Sequence, residues 1–280
     1  MRTKTLLIAA AALAAGILVS SAQTYSQNVV GYYNVPIPAG TFYIVGNQFN
    51  VGVSNGLNEL FAGGLMSDVN GATNTAVYIW LPGQVFAGPY QYFSAADAAA
   101  DQSGSTYANG AGFYDGAGNY ITTIIPPGGG VFVQNLALGT ITPTVVGSVA
   151  QGTNVISMIG AASIGALNLL SSPIPVSTNV ANGPITYVGT SDVNGVYNDQ
   201  IYMWNPLTAV FSSYQYFNAA DAAADQSGST YANGAGFYDG AGAYQTTTVS
   251  PTVGTGFFML HYGPGGNGAS ETWTNIFTVQ

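Results

Sequence analysis

The sequence predicts an all-β protein: two tandem homologous β-sandwich-like domains with short Ala-rich helical loops, after an N-terminal signal helix. Three observations carry this. Tyr90–Tyr120 and Tyr214–Tyr244 are one 31-residue block written twice at an offset of 124, differing only at Ser94/Asn218 and Asn119/Ala243. A copy at fixed period sets the domain plan. Short runs of β-branched and aromatic residues recur at roughly 8–15 residue spacing between Gly and Pro, as in sandwiches and barrels. The chain also begins with an export-like segment.

Met1–Ala22 predicts a secretory signal peptide. Arg2 and Lys4 form the positive region, Leu6–Val19 is apolar, and Ser20-Ser21-Ala22 places small residues before Gln23. The apolar run is short for a membrane span and lacks a stop-transfer flank. The expected location is therefore secreted, extracellular or cell-surface, with no stable membrane insertion after signal cleavage. Residues 23–145 are the expected first β domain and 146–280 the second, with the junction inside Thr140–Gly152.

Composition narrows function. Arg2 and Lys4 are the only basic residues besides His261, so no Lys or Arg follows Ala22. The formal charge is −9 with those two residues and −11 without them. Nucleic acid needs Lys or Arg against its phosphates, so it is not an expected partner. A nucleotide or phosphorylated substrate lacks its usual clamp for the same reason. There is no cysteine, which removes disulfides, thiolate metal sites and thiol catalysis. With 48% apolar residues the chain has material for real cores.

The elements follow in order. Asn28–Pro38 and Thr41–Phe49 are extended in character. Asn55-Gly56 marks a turn, and Leu57–Leu65 has a mixed pattern. Asp68–Gly71 is a second turn. Ala76–Pro82, Val85–Phe93, Gly112–Thr123, Val131–Asn135 and Ile141–Val149 complete the first set of strands. In the second half Ser191–Gly195 repeats Ser67–Gly71, and Tyr202, Trp204 and Pro206 repeat Tyr78, Trp80 and Pro82. Val145–Thr153 is the expected opening of that half. Asn-Gly and Asp-Gly dipeptides supply positive φ and mark hairpin candidates. Ser94-Ala95-Ala96-Asp97 fits a capping box opening a short Ala-rich helix, and Asn218 serves as the cap in the second copy.

Several stretches resemble a loose family of uncharacterised secreted, duplicated, β-rich bacterial proteins. They are Gln27–Tyr32 after the signal, Pro38-Ala39-Gly40 before a strand, and Gly112–Asp115 followed by Pro126–Phe132. The resemblance spans most of the chain, which departs from it at the Ser94–Gly110 loop. It implies a secreted β architecture and no particular chemistry.

Three chemistries merit weighing. Asp97, Asp101 and Asp115, repeated as Asp221, Asp225 and Asp239, are oxygen ligands in loops and make calcium the expected cofactor. Against this, Asp also favours caps and turns, and no known calcium-loop motif matches. Trp80 and Trp204, with Tyr90, Tyr92, Tyr214 and Tyr216, can stack on sugar rings of an extracellular polysaccharide. Against this, aromatics in sheets mostly fill cores. Catalysis has the least support: His261 is the sole imidazole and no G-x-S-x-G nucleophile motif is present. The sequence favours a non-enzymatic structural or adhesive protein of the surface or matrix, calcium-stabilised and self-associating, with a carbohydrate-binding module as the alternative. Two near-identical loops would present one contact twice and raise avidity.

Overall fold

The computed structural model describes residues 29–100, 107, 109–177, 180, 187–224, 233–246 and 249–277. The expected signal segment lies outside these residues. Among the described residues, fourteen strands fall into two sets of seven. The first set is β1 (Val30–Asn34), β2 (Phe42–Gly46), β3 (Ala76–Leu81), β4 (Val85–Phe93), β5 (Gly112–Tyr114), β6 (Gly130–Gln134) and β7 (Thr144–Ser148). The second is β8 (Gly152–Met158), β9 (Ala166–Ser171), β10 (Gln200–Asn205), β11 (Val210–Phe217), β12 (Gly236–Tyr238), β13 (Gly256–His261) and β14 (Glu271–Phe277). Three short helices join them: α1 (Leu57–Leu60), α2 (Ala95–Ala100) and α3 (Ala219–Ala224).

Each set forms a five-stranded antiparallel sheet and a two-stranded ribbon. The sheets run β2-β6-β3-β4-β5 and β9-β13-β10-β11-β12; the ribbons are β1–β7 and β8–β14. The same topology is thus built twice, sandwich-like. Strand β7 crosses the position expected to part the domains, and it pairs with β1 from Val30↔Ser148 to Asn34↔Thr144.

Period-two alternation gives each sheet two apolar faces. In the first sheet Val77, Ile79, Val131 and Val133 point into the main core, where Tyr33 and Val145 of the ribbon cover them. Ile44, Phe132, Tyr78 and Trp80 point the other way, into a second apolar cluster shared with Leu169, Phe258, Tyr202 and Trp204. The main core itself draws Ile156, Ile201, Phe257 and Trp273 from the second half. The halves are packed into one body rather than strung on a linker.

Their contacts are reciprocal. Gly46 N–H donates to Gly254 O at 2.9 Å, and Ser171 N–H, at the equivalent position, donates to Gly128 O at 2.7 Å. Isolated bridges Val45↔Thr255 and Gly129↔Leu170 continue the pattern. Such reciprocity describes an approximate two-fold relation between the halves.

The Asp-Gly dipeptides at 115 and 239 lie in tight turns closed by the antiparallel bridges Tyr114↔Tyr120 and Tyr238↔Tyr244. Asn-Gly does not close the β3–β4 and β10–β11 hairpins; Gln84 (φ 60°) and Ala209 (φ 53°) supply the positive φ there. Gly71 and Gly195 instead close loop turns, with N–H bonds to Asp68 O and Asp192 O. Among the described residues no helix is long and apolar enough to cross a membrane.

Candidate functional site

Where the second faces of the two sheets meet, they leave an aromatic trough. One cavity of about 360 Å³ is lined by Phe42, Tyr78, Phe86, Phe132, Trp204, Phe211 and Phe258. A neighbouring one of about 350 Å³ is lined by Trp80, Phe86, Leu167, Tyr202, Phe211 and Phe258. The two-fold relation exchanges them: Tyr78 answers to Tyr202, Trp80 to Trp204 and Phe42 to Leu167. The rings meet largely edge to face, with Trp80 against Phe258 at 5.3 Å and Phe132 against Trp204 at 5.4 Å. Such pairs are favoured by the ring quadrupole.

Strand chemistry places these rings. Tyr78 and Trp80 alternate with Val77 and Ile79, so they share the trough face. Phe86 pairs with Trp80 and joins that face. Further along, β4 carries one extra residue between Ala87 and Tyr90, opposite Val77–Ile79. This bulge turns Tyr90 into the core. β11 lacks the extra residue; Phe211 pairs with Trp204 and Tyr214 with Ile201, giving the same outcome.

The trough offers rings and few free donors. Tyr78 Oη donates to Gln134 at 3.0 Å and Tyr202 Oη to Gln200 at 2.8 Å. Trp80 Nε1 donates to Leu167 O at 2.7 Å, and Trp204 Nε1 to Phe42 O at 2.8 Å. Its rim is apolar: Phe86 is 46% exposed, Phe211 40% and Leu207, in the β10–β11 turn, 86%. Residues 76–96 and 200–220 contain no charged residue. The arrangement can stack on apolar or flat groups and does little to orient hydroxyls.

Of the residues expected to bind sugar, only Trp80 and Trp204 reach the trough. Tyr214 and Tyr216 are buried in the main core, and Tyr90 and Tyr92 pack against it. Tyr92 lies 5.6 Å from Phe113, and Tyr216 5.5 Å from Phe237. Phe86, Phe211, Phe132 and Phe258 were not singled out from sequence. Parity from Trp80 along β3 pointed to the face, but not to what would cover it.

The expected calcium ligands are engaged in loops. Asp97 accepts Ser67 Oγ and, at 2.7 Å, Ser94 Oγ, while its N–H donates to Ser94 Oγ. Asp221 repeats this with Ser191 and Asn218, each at 2.6 Å. Asp115 accepts Ala117 N–H and the backbone and side-chain N–H of Asn119, all at 2.9 Å. Asp239 accepts Ala241 N–H, Ala243 N–H and Gln245 Nε2. Hydrogen bonds from Asn119 hold the Asp115 carboxyl below the usual range. Among the described residues no three His, Asp or Glu side chains gather to hold a metal. The carboxylates of Asp97, Asp115, Asp221 and Asp239 are each engaged by hydrogen bonds within their loops; Asp101 and Asp225 lie outside the described residues.

Asp199 and His261 form a buried polar knot in the second half. Asp199 accepts Tyr187 Oη at 2.5 Å, Thr190 N–H at 2.7 Å and Tyr262 N–H at 3.2 Å, and it pairs with His261 Nδ1 at 2.9 Å. Glu271 stands 3.7 Å from His261 Nε2. Burial pulls the His261 pKa down, but the hydrogen bond and charge of Asp199, with Glu271 beyond, outweigh this and raise it. Both His261 and Asp199 have no exposed surface. In the first half Thr75 and Asn135 stand at these positions. The knot ties β13 to the loop before β10 and lines neither trough cavity. No family model, curated protein or solved structure matches the chain.

Proposed function

We propose that this is a non-enzymatic structural or adhesive protein working outside the cell or on its surface, with the aromatic trough as its contact surface. One observation carries this: a half-exposed aromatic rim without any charge, on a chain that is otherwise strongly acidic. Exposed apolar surface of this kind marks contact sites in folded proteins. The buried His261–Asp199 pair and the capped loop aspartates act in the fold, which supports a binding role over a catalytic one. Calcium and glycan contacts are not needed by this proposal.

Retention on beads tests it. The chain from Gln23 should be held on octyl-derivatised agarose and pass underivatised agarose or cellulose. Phe86→Ser with Phe211→Ser should cut octyl retention sharply. Retention on the bare polysaccharide instead would favour the carbohydrate-binding alternative, and no retention on either would remove the trough as a contact surface.

A further inference from the structure

Resting on that proposal, we infer that the occupant of the trough is a second copy of this chain, docked isologously with the hairpin tips of each copy seated in the trough of the other. Charge comes first. Two copies of a strongly acidic chain repel, and the repulsion is least where neither presents charge. The hairpin stretches that supply Trp80, Phe86, Trp204 and Phe211, 76–96 and 200–220, are free of Asp, Glu, Lys, Arg and His, and every residue lining the two cavities is uncharged. An uncharged pole on each copy lets the two approach apolar face to apolar face.

Symmetry is the second argument. An isologous contact requires a patch complementary to itself. This patch is already built on a two-fold plan: Phe86 and Phe211 stand as equivalent half-exposed rings beside equivalent aromatic cavities. Each copy therefore carries both the projecting rings and the apolar recesses that can receive them. Buried aromatic anchors entering apolar recesses are the usual centres of binding energy in protein contacts.

The chemistry of the lining favours this occupant over a small polar ligand. The Trp80 and Trp204 N–H groups and the Tyr78 and Tyr202 hydroxyls already donate within the chain. Little remains to orient a polar molecule, whereas aromatic and aliphatic side chains ask only for shape and ring contact. Leu81, Val85, Leu207 and Val210, all exposed at the same hairpin tips, widen the apolar contact.

Molar mass by light scattering tests this on the chain from Gln23, from low micromolar concentration to the solubility limit. A reversible rise to twice the monomer mass is expected. Phe86→Ser with Phe211→Ser should weaken the association at least ~tenfold. Leu207→Glu should also weaken it; this side chain lies in a turn outside both apolar clusters, so the fold is spared. Circular dichroism and melting temperature confirm folding in each variant. Because the chain has no cysteine, Leu207→Cys carries a single pyrene label, and excimer emission should grow with concentration. The same label at Val53→Cys, outside the trough, should not give it. A monomer at every concentration overturns the inference, as does a dimer unchanged in both variants. A monomer still held on octyl beads through Phe86 and Phe211 overturns the second copy as occupant and leaves the trough a contact surface for another apolar partner.

Discussion

Trp80 and Trp204 make the same hydrogen bond in opposite directions across the molecule: Trp80 to Leu167 O, Trp204 to Phe42 O. Each indole belongs to one half and caps an edge strand of the other. The two are not equally supported. Leu167 O also accepts Gln84 Nε2 at 3.1 Å, and Leu167 N–H donates to Gln84 Oε1 at 2.6 Å. The turn at the equivalent place in the second half reads Pro206-Leu207-Thr208-Ala209 and has no amide to offer.

Trp204→Phe is therefore expected to cost more stability than Trp80→Phe. The ring loss is alike in both, but Leu167 O keeps Gln84 as a donor. Loss of a hydrogen bond costs about 1 kcal/mol, and more where the acceptor is stranded. Denaturant unfolding of the two variants checks this, and equal losses would refute it. Gln84→Ala should make Trp80→Phe as costly as Trp204→Phe.

Two glycines carry the interlock between the halves. Gly128 (φ 87°) would place a Cβ 2.6 Å from Ile156 of β8, and Gly254 (φ 83°) one 2.7 Å from Tyr33 of β1. Alanine at either should cost about 1–2 kcal/mol for the left-handed backbone, plus a comparable amount for overpacking. Gly40 (φ 68°) has nothing within 4 Å of its would-be Cβ. Gly40→Ala should thus show only the backbone part. Melting temperatures falling further for Gly128→Ala and Gly254→Ala than for Gly40→Ala are the expected result.

Stability should peak in mildly acid solution. His261 has its pKa raised in the folded chain above 6.5, so its contribution is full below that value. It fades as pH rises through the higher folded value. Glu59 runs the other way. Hydrogen bonds from Val53, Gly56 and Ser54 lower its pKa from 4.5 to about 2. Its contribution is full above 4.5 and is lost as pH falls toward 2. The melting temperature is expected to be highest between these flanks. His261→Gln should flatten the alkaline side and Glu59→Gln the acid side. Asp199→Asn should cost about 3 kcal/mol near neutrality, because four donors meet that buried carboxylate.

The seven strands of the first half were legible as short runs of β-branched and aromatic residues with turn residues close by, as Val77–Trp80 ahead of Pro82. The capped helices at Ser94 and Asn218 were equally plain. The trough was not, because its cover is non-local: Trp80 and Leu167 stand 87 residues apart. An extra residue in β4 also reverses side-chain parity between Phe86 and Tyr90, so a constant alternation misplaces one of them. Tyr214 and Tyr216 looked free to stack on a ligand, but both are buried in the main core, Tyr216 beside Phe237 and Tyr187. His261 looked isolated because Asp199 lies 62 positions earlier.

The doubled Asp97/Asp221 position gives the last prediction. Each carboxylate ties a helix cap to a serine of the preceding loop, Ser67 or Ser191, and that serine accepts the N–H of the capping residue at 3.0 Å. Asp97→Ala or Asp221→Ala should cost about 1 kcal/mol, the usual effect of losing a cap. Two sites this far apart in sequence, each with its own partners, should add. If the role is capping alone, the loss is the same in millimolar calcium and in chelator. If calcium raises the melting temperature of the unaltered chain and fails to do so in the double variant, the carboxylates serve an ion as well. Asp101 and Asp225, four positions further on in sequence, are then the next substitutions. Hydrogen exchange at Ala98 and Ala222, whose N–H groups donate to Ser94 O and Asn218 O at 2.9 Å, separates the two cases. Under capping alone it quickens in both solutions; under ion binding, chelator alone quickens it in the unaltered chain.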